Sequence, residues 1–293
     1  MAATERDVRL ADGRVLRVLD AGVPEGRPVF VLHGSPASRL LYAPHVRDAV
    51  RQGIRLIGHD RPGYGGSTRQ PGRSMADEAS DVKAIADAMG AERFAVWGHS
   101  AGAVPALACA ALLRDRVVAV AALSGVAPYP APGFDWFEGM GESNVTDFQL
   151  MLHDRAAWEA KGREEMAGFA RATPDDVVRF LDSLLSDVDR RVLTPELAAF
   201  LRDQGAEGVR PGPEGAIDDG LAQVAPWGFE IADVRGPVQY WHGRHDRFVP
   251  FLHGQWLAAH LPRAEIHLEE NEGHLSLFTE RIPEVHAWLA AHF

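Results

Sequence analysis

Three observations predict an α/β fold. Apolar runs alternate with amphipathic helical stretches through residues 28–123 and again through 238–293. A Gly-x-Ser-x-Gly turn, Gly98-His99-Ser100-Ala101-Gly102, lies between a short apolar strand and an Ala- and Leu-rich helix. Between the two alternating blocks, the chain carries helical patterns and no strand pattern. Together these predict a mostly parallel, eight-stranded sheet with helices on both faces, formed by residues 1–126 and 235–293, with an inserted all-helical lid over 127–234.

The elements follow in order. Residues 8–10 and 15–19 read as a hairpin turning at Asp12-Gly13. Pro28-Val29-Phe30-Val31-Leu32 is continuously apolar, as a strand covered on both faces must be, and ends in His33-Gly34-Ser35-Pro36. A helix over 44–52 stops at Gly53, and a strand over 54–57 leads into the Gly-rich loop Asp60-Arg61-Pro62-Gly63-Tyr64-Gly65-Gly66-Ser67. A helix over 76–89 ends at Gly90. The strand before Ser100, its helix to about 113 and a strand over 117–123 complete the first block. Within 127–234, Thr173-Pro174-Asp175-Asp176 and Thr194-Pro195-Glu196 mark helix starts, and 205–215, rich in Gly and Pro, reads as a loop. A strand over 238–241, a helix over 251–260, a strand over 264–268 and a closing helix end the chain.

Composition narrows the function. Among 293 residues, 30 basic and 41 acidic side chains give a net charge of −11, a poor match to nucleic acid or an anionic membrane. The first residues lack the apolar core of a secretion signal, and no apolar run is long enough to span a bilayer. The single cysteine, Cys109, excludes an internal disulfide and a thiolate cage, and reads as a small buried hydrophobe. A cytoplasmic protein acting on a small molecule is the expectation.

The Ser100 turn is where chemistry is expected. A serine at so tight a strand-to-helix turn is strained, and glycines two before and two after give strand and helix clearance. The hydroxyl is thereby displayed above a helix N-terminus, whose free N–H groups suit a developing negative charge. Serine needs a neighbouring base, and histidine has the appropriate pKa. Of thirteen histidines, His274 stands out, in the loop after the last strand. Asp246, in the loop after the preceding strand, is placed to hold its imidazole. Ligands of such sheets bind at this carboxyl edge.

These motifs, in this order, resemble the α/β-hydrolase superfamily: His33-Gly34, the Asp60-to-Ser67 loop, Gly98 to Gly102, Gly243-Arg244-His245-Asp246-Arg247-Phe248-Val249-Pro250 and Glu272-Gly273-His274. The branch resembled carries a helical lid between the sixth and seventh strands. The resemblance implies that Ser100 is the nucleophile, His274 the base and Asp246 the acid. It implies the backbone N–H groups of Ser35 and Ala101 as oxyanion donors, and acyl transfer to water as the reaction. Relatives that open epoxides or dehalogenate use an aspartate nucleophile, and those opening epoxides use lid tyrosines; residues 130–234 contain no tyrosine. Relatives with a serine triad also cleave carbon–carbon bonds or perform metal-free perhydrolysis, and some bind without turnover. No cofactor or metal is called for.

The remaining candidates carry two readings each. Trp136, Phe137, Phe148, Met151 and Trp227 either line a pocket for neutral, medium-sized esters or form lid core; His99 and Phe248 join the pocket candidates. His33 is expected to shape its loop, Asp60-Arg61 to form an ion pair or loop anchor, and Glu269, Glu270 and Glu272 to form a solvated acidic loop. His242 and His245, three apart, lack the further ligands a metal needs.

Overall fold

The computed structural model describes residues 3–169 and 171–293. Eight strands form one sheet in the order β1-β2-β4-β3-β5-β6-β7-β8. β1 (Thr4–Arg9), β2 (Val15–Gly22) and β4 (Ile54–His59) pair antiparallel at one edge. From β4 through β3 (Arg27–Leu32), β5 (Phe94–His99), β6 (Val117–Leu123), β7 (Val238–Gly243) and β8 (Glu265–Glu269) the pairing is parallel. The expected mostly parallel sheet is therefore present.

The central strands are buried from end to end because helices cover both faces. β5, β6 and β7 have almost no exposed residue. α2 (Asp77–Ala88), α3 (Ala103–Leu112) and α10 (Phe251–His260) pack on one face with Phe30, Val96, Val120 and Tyr240. α1 (Ala43–Gln52) and α12 (Ile282–Ala290) cover the other with Val29, Trp97, Ala121 and Trp241. Each buried Val, Leu, Ile or Phe contributes roughly 1.5–3 kcal/mol.

Strand order decides where the site can form. β4 lies to one side of β3 and β5 to the other, so the crossovers leaving the carboxyl ends of β3 and β5 diverge and open a crevice there. His33-Gly34 ends β3 and Ser100 ends β5.

Between β6 and β7 lie α4 (Glu142–His153), α5 (Arg155–Phe169), α6 (Pro174–Phe180), α7 (Asp187–Val192), α8 (Pro195–Gly208) and α9 (Glu214–Val224). Thr173 caps α6 in a reciprocal box with Asp176, and Thr194 caps α8 through the Leu197 N–H. The loop expected over 205–215 is shorter, because α8 runs through Gly205 and Gly208. Those glycines serve close packing rather than turning. A side chain at Gly205 would strike the Phe169 ring, and one at Gly208 the Ala37 backbone.

Candidate active site

Ser100 has φ 58°, a left-handed conformation that a non-glycine residue adopts only when its surroundings enforce it. They do so here. A Cβ on Gly98 would collide with the Gly102 carbonyl, and one on Gly102 with the Leu32 carbonyl of β3. A Cβ on Gly34 would stand 3.3 Å from the Ser100 Cβ, so the loop after β3 passes directly beside the serine. The backbone of Ser35 follows at once in that loop, and Ala101 opens the turn beyond Ser100.

His274 and Asp246 meet as the spacing predicts. His274 Nδ1 donates to Asp246 Oδ2 at 2.7 Å, which fixes the tautomer and leaves Nε2 as the free ring nitrogen. Asp246 Oδ1 accepts the N–H groups of Phe248 (2.9 Å) and Val249 (2.8 Å). The Phe248 ring stacks on the imidazole at 4.4 Å, and the His99 ring packs at the same distance. His99 Nε2 also donates to the His274 carbonyl at 3.0 Å. Burial pushes Asp246 up to about 6 and His274 down to about 4. At neutral pH the pair is thus an ionised carboxylate and a neutral imidazole, the state a general base requires. No hydrogen bond joins Ser100 to His274 among the described residues, but both line one cavity.

Two cavities meet at Ser100, sharing Ser35, Pro36, Phe180, Leu181 and Phe248. The first, about 130 Å³, is lined by His274, Tyr42, His45, Phe200 and Phe278. The second, about 220 Å³, is lined by Met140, Phe148, Met151, Trp158 and Ile217, with Asp147 and Glu165 at its wall. Lys161 bridges those carboxylates at 2.5 and 2.6 Å. Of the expected pocket residues, Phe148 and Met151 lie on the second cavity, His99 on the first and Phe248 on both. Trp136, Phe137 and Trp227 line neither; they pack into or against the large core on the α3 side of the sheet. There the two indoles are satisfied: Trp136 donates its N–H to the Ala127 carbonyl and Trp227 to that of Gln223, each at 3.2 Å.

The loop after β3 has its own network. Asp219 of α9 pairs with both Arg61 and Arg73, all three buried. Burial alone would raise Asp219; the two guanidinium groups override it and hold it down to about 2. Arg61 donates to the carbonyls of His33 and Gly34. The Tyr64 hydroxyl donates to Asp219 at 2.7 Å, so its contact with Ser35 Oγ, also 2.7 Å, must be a bond that Ser35 donates. His33 accepts from the Arg61 N–H and donates to the Gly34 carbonyl, as its loop-shaping role anticipates. Asp60 and Arg61 do anchor the loop but not to each other: Asp60 pairs with Arg39 at 2.9 Å.

On the histidine side, Asp189 of α7 accepts the N–H groups of His274, Leu275 and Ser276, which the motifs did not signal. Glu272 also departs from expectation. It is buried and paired with Arg281 at 2.7 Å rather than solvated. His242 bonds Tyr240 and the Val249 carbonyl behind Asp246, while His245 is exposed; no trio of His, Cys, Asp or Glu among the described residues is grouped to hold a metal. Cys109 is buried in α3.

The architecture defines the class. The alpha/beta hydrolase fold family matches residues 27–281, and the chain belongs to it. It is a hydrolase. It is 26% identical to the 2-hydroxy-6-oxononadienedioate/2-hydroxy-6-oxononatrienedioate hydrolase 2 of Pseudomonas putida over 289 residues, 93% of this chain and 91% of that one. Over 128 residues it is 41% identical to Epoxide hydrolase A of Mycobacterium tuberculosis, a match covering 42% of this chain and 39% of that one. Among solved structures, an esterase from Thermogutta terrifontis superposes with a TM-score of 0.69 at 20% identity, covering 99% of both chains, a likeness of fold. No helix among the described residues is long and apolar enough to cross a membrane.

Proposed function

We propose that this hydrolase cleaves a neutral, medium-sized carboxylic ester, or a closely related acyl bond, through an acyl-enzyme on Ser100. The observation that carries this reading is the strained Ser100 turn opening on the same cavity as the free Nε2 of a neutral, Asp246-held His274. His274 takes the hydroxyl proton as Ser100 attacks the carbonyl carbon, and the Ser100–His274 hydrogen bond forms in the Michaelis complex. The backbone N–H groups of Ser35 and Ala101 receive the oxyanion, a contribution of about 2.7–4 kcal/mol per donor. His274 then protonates the departing alcohol, and water repeats the sequence on the acyl-enzyme. Helices α4 to α9 serve as the lid that shapes the pocket and limits water.

The proton's path assigns the cavities. The group that took the proton must return it to the leaving oxygen, and His274 lines only the first cavity. The alcohol therefore leaves through the first cavity and the acyl chain occupies the second. A cavity of about 150 Å³ holds benzene, so the first, about 130 Å³, suits a compact group. The wider second cavity admits a longer chain.

Charge favours a neutral substrate. Arg39 lines the first cavity, but Glu5, Asp60 and Glu207 neutralise it, and the second cavity carries two carboxylates against one lysine. A dicarboxylate such as the one naming the Pseudomonas relative would find no free cation on these walls among the described residues. Epoxide opening through an alkyl-enzyme needs a carboxylate nucleophile whose ester water can cleave; Ser100 is a hydroxyl.

The test is a chain-length series of p-nitrophenyl esters with lactone and diketone substrates alongside, plus mass spectrometry after a fluorophosphonate. The expected result is ester burst kinetics and a phosphonyl adduct on Ser100. An adduct with no turnover of any substrate would favour a binding protein, and diketone cleavage surpassing ester cleavage would make it a carbon–carbon hydrolase.

A further inference from the structure

Asp189 lies in the insertion, 85 residues before His274, yet is fully buried against it. Its carboxylate is saturated by donors from two directions. Oδ1 accepts the N–H groups of Leu275 (2.8 Å) and Ser276 (3.1 Å). Oδ2 accepts the His274 N–H (3.2 Å) and the Ser186 hydroxyl (2.9 Å). Those three N–H groups begin α11 (His274–Ser276), the single helical turn that carries the imidazole, and they have no partners within it. A Cβ on Gly273 would stand 2.5–2.7 Å from the carboxylate atoms, so glycine is required there for Asp189 to approach.

We infer that Asp189 is a positioning residue for catalysis: through His274's own backbone it sets where the imidazole stands relative to Ser100, and so the insertion, as well as the sheet, mounts the base. The inference rests on the hydrolytic reading of Ser100 and His274. Asp246 fixes the ring's rotation and tautomer through Nδ1; Asp189 fixes the backbone from which the ring projects. Only a carboxylate offers two oxygens that accept and none that donates, so an amide would turn its NH₂ toward N–H or O–H donors. The negative charge has a second effect. The titratable groups facing the His274 ring are Asp246 and His242 from β7 and the loop after it, His99 from β5, and Asp189 from α7. Burial lowers His274, and Asp189 opposes that shift, favouring the imidazolium that forms at the transition state.

The experiment compares Asp189→Asn and Ser186→Ala with the unmodified protein in kcat, KM and the pH profile of kcat/KM on one aryl ester. Asp189→Asn is expected to lower kcat about 10- to 100-fold with KM within about threefold, the scale of a misplaced catalytic group. The acid limb should move to lower pH, because a charge that supports the imidazolium is gone; a merely structural role would leave that limb in place. Ser186→Ala removes one of the four donors and is expected to lower kcat about two- to fivefold without altering KM. Unchanged kcat, or an unmoved acid limb, in folded Asp189→Asn overturns the inference. Should that variant not fold, Ser186→Ala decides, and wild-type kcat there overturns it. Ser100→Ala, assayed in parallel, separates this from the underlying reading: turnover surviving in that variant refutes the nucleophile, not the positioning role.

Discussion

The sheet body and the helical insertion reach the cavity of Ser100 and His274 by different means. The body holds its residues by burial: β5, β6 and β7 are sealed in apolar side chains, and Ser100 is strained because two carbonyls leave Gly98 and Gly102 no alternative. The insertion reaches it with carboxylates. Asp219 pairs with two arginines, of which Arg61 holds the loop of Ser35, and Asp189 gathers the N–H groups under His274. Apolar burial is insensitive to direction, whereas these carboxylates work only at one position and angle. The body thus displays the reacting groups, and the insertion braces the loops that carry them.

The largest effect that would sharpen this contrast comes from the body. Ser100→Ala should lower kcat about a million-fold with little change in the melting temperature, since alanine keeps the Cβ and with it the backbone strain; activity within tenfold of wild type would remove Ser100 from the chemistry. Asp246→Asn should cost about 10⁴ in kcat by disfavouring the Nδ1–H tautomer, and near-normal turnover would mean another acid serves His274. At Asp219, in the insertion, the expected damage is to stability. Asp219→Ala leaves Arg61 and Arg73 buried without their partner, a loss of about 3–5 kcal/mol, or roughly 10 °C in Tm; a scanning calorimetry trace matching wild type would break the comparison.

Smaller effects test the state of the pair and the walls. With burial holding Asp246 up to about 6, a proton enters the His274–Asp246 pair as pH falls through that value, and kcat/KM should then fall about tenfold per unit. A profile flat to pH 4.5 would contradict it. Finally, Met151→Ala should shift acyl-length preference and Phe200→Ala leaving-group preference, each by roughly 10- to 100-fold in kcat/KM. Because the alcohol has departed before deacylation, only Met151→Ala should change the rate at which a preformed acyl-enzyme is hydrolysed. Trp136→Ala and Trp227→Ala should lower Tm with little change in either preference.

What could be read in the sequence follows from the same difference. The ends of parallel strands converge on one edge, so the gathering of Ser100, Asp246 and His274 there was legible from their positions after the apolar runs of β5, β7 and β8. The helix starts at Thr173 and Thr194 were legible because capping is local. The pocket was only half legible. An aromatic between β6 and β7 has the same character in sequence whether it faces a cavity, as Phe148 does, or the core, as Trp136 does. Gly205 and Gly208 read as turn residues because composition does not distinguish glycine that bends from glycine that yields room. Asp189 and Asp219 were hidden among the insertion's many acidic residues. Ser186-x-x-Asp189 has the form of a helix cap and is one, with Ser186 accepting the Asp189 N–H, but nothing local announces its second set of partners.

The placing of Asp189 and Asp219 bears on how such a protein can change over generations. The helices that form the second cavity's walls are also where substrate range would be retuned, and exchanging the whole insertion between relatives would be the quickest route to a new range. Here that exchange would remove the supports of both the Ser35 loop and the His274 turn in a single step. Variation is then channelled into wall positions such as Phe148, Met151 and Ile217, and an ancestor acquiring a new diet would do so by side-chain drift rather than by trading segments.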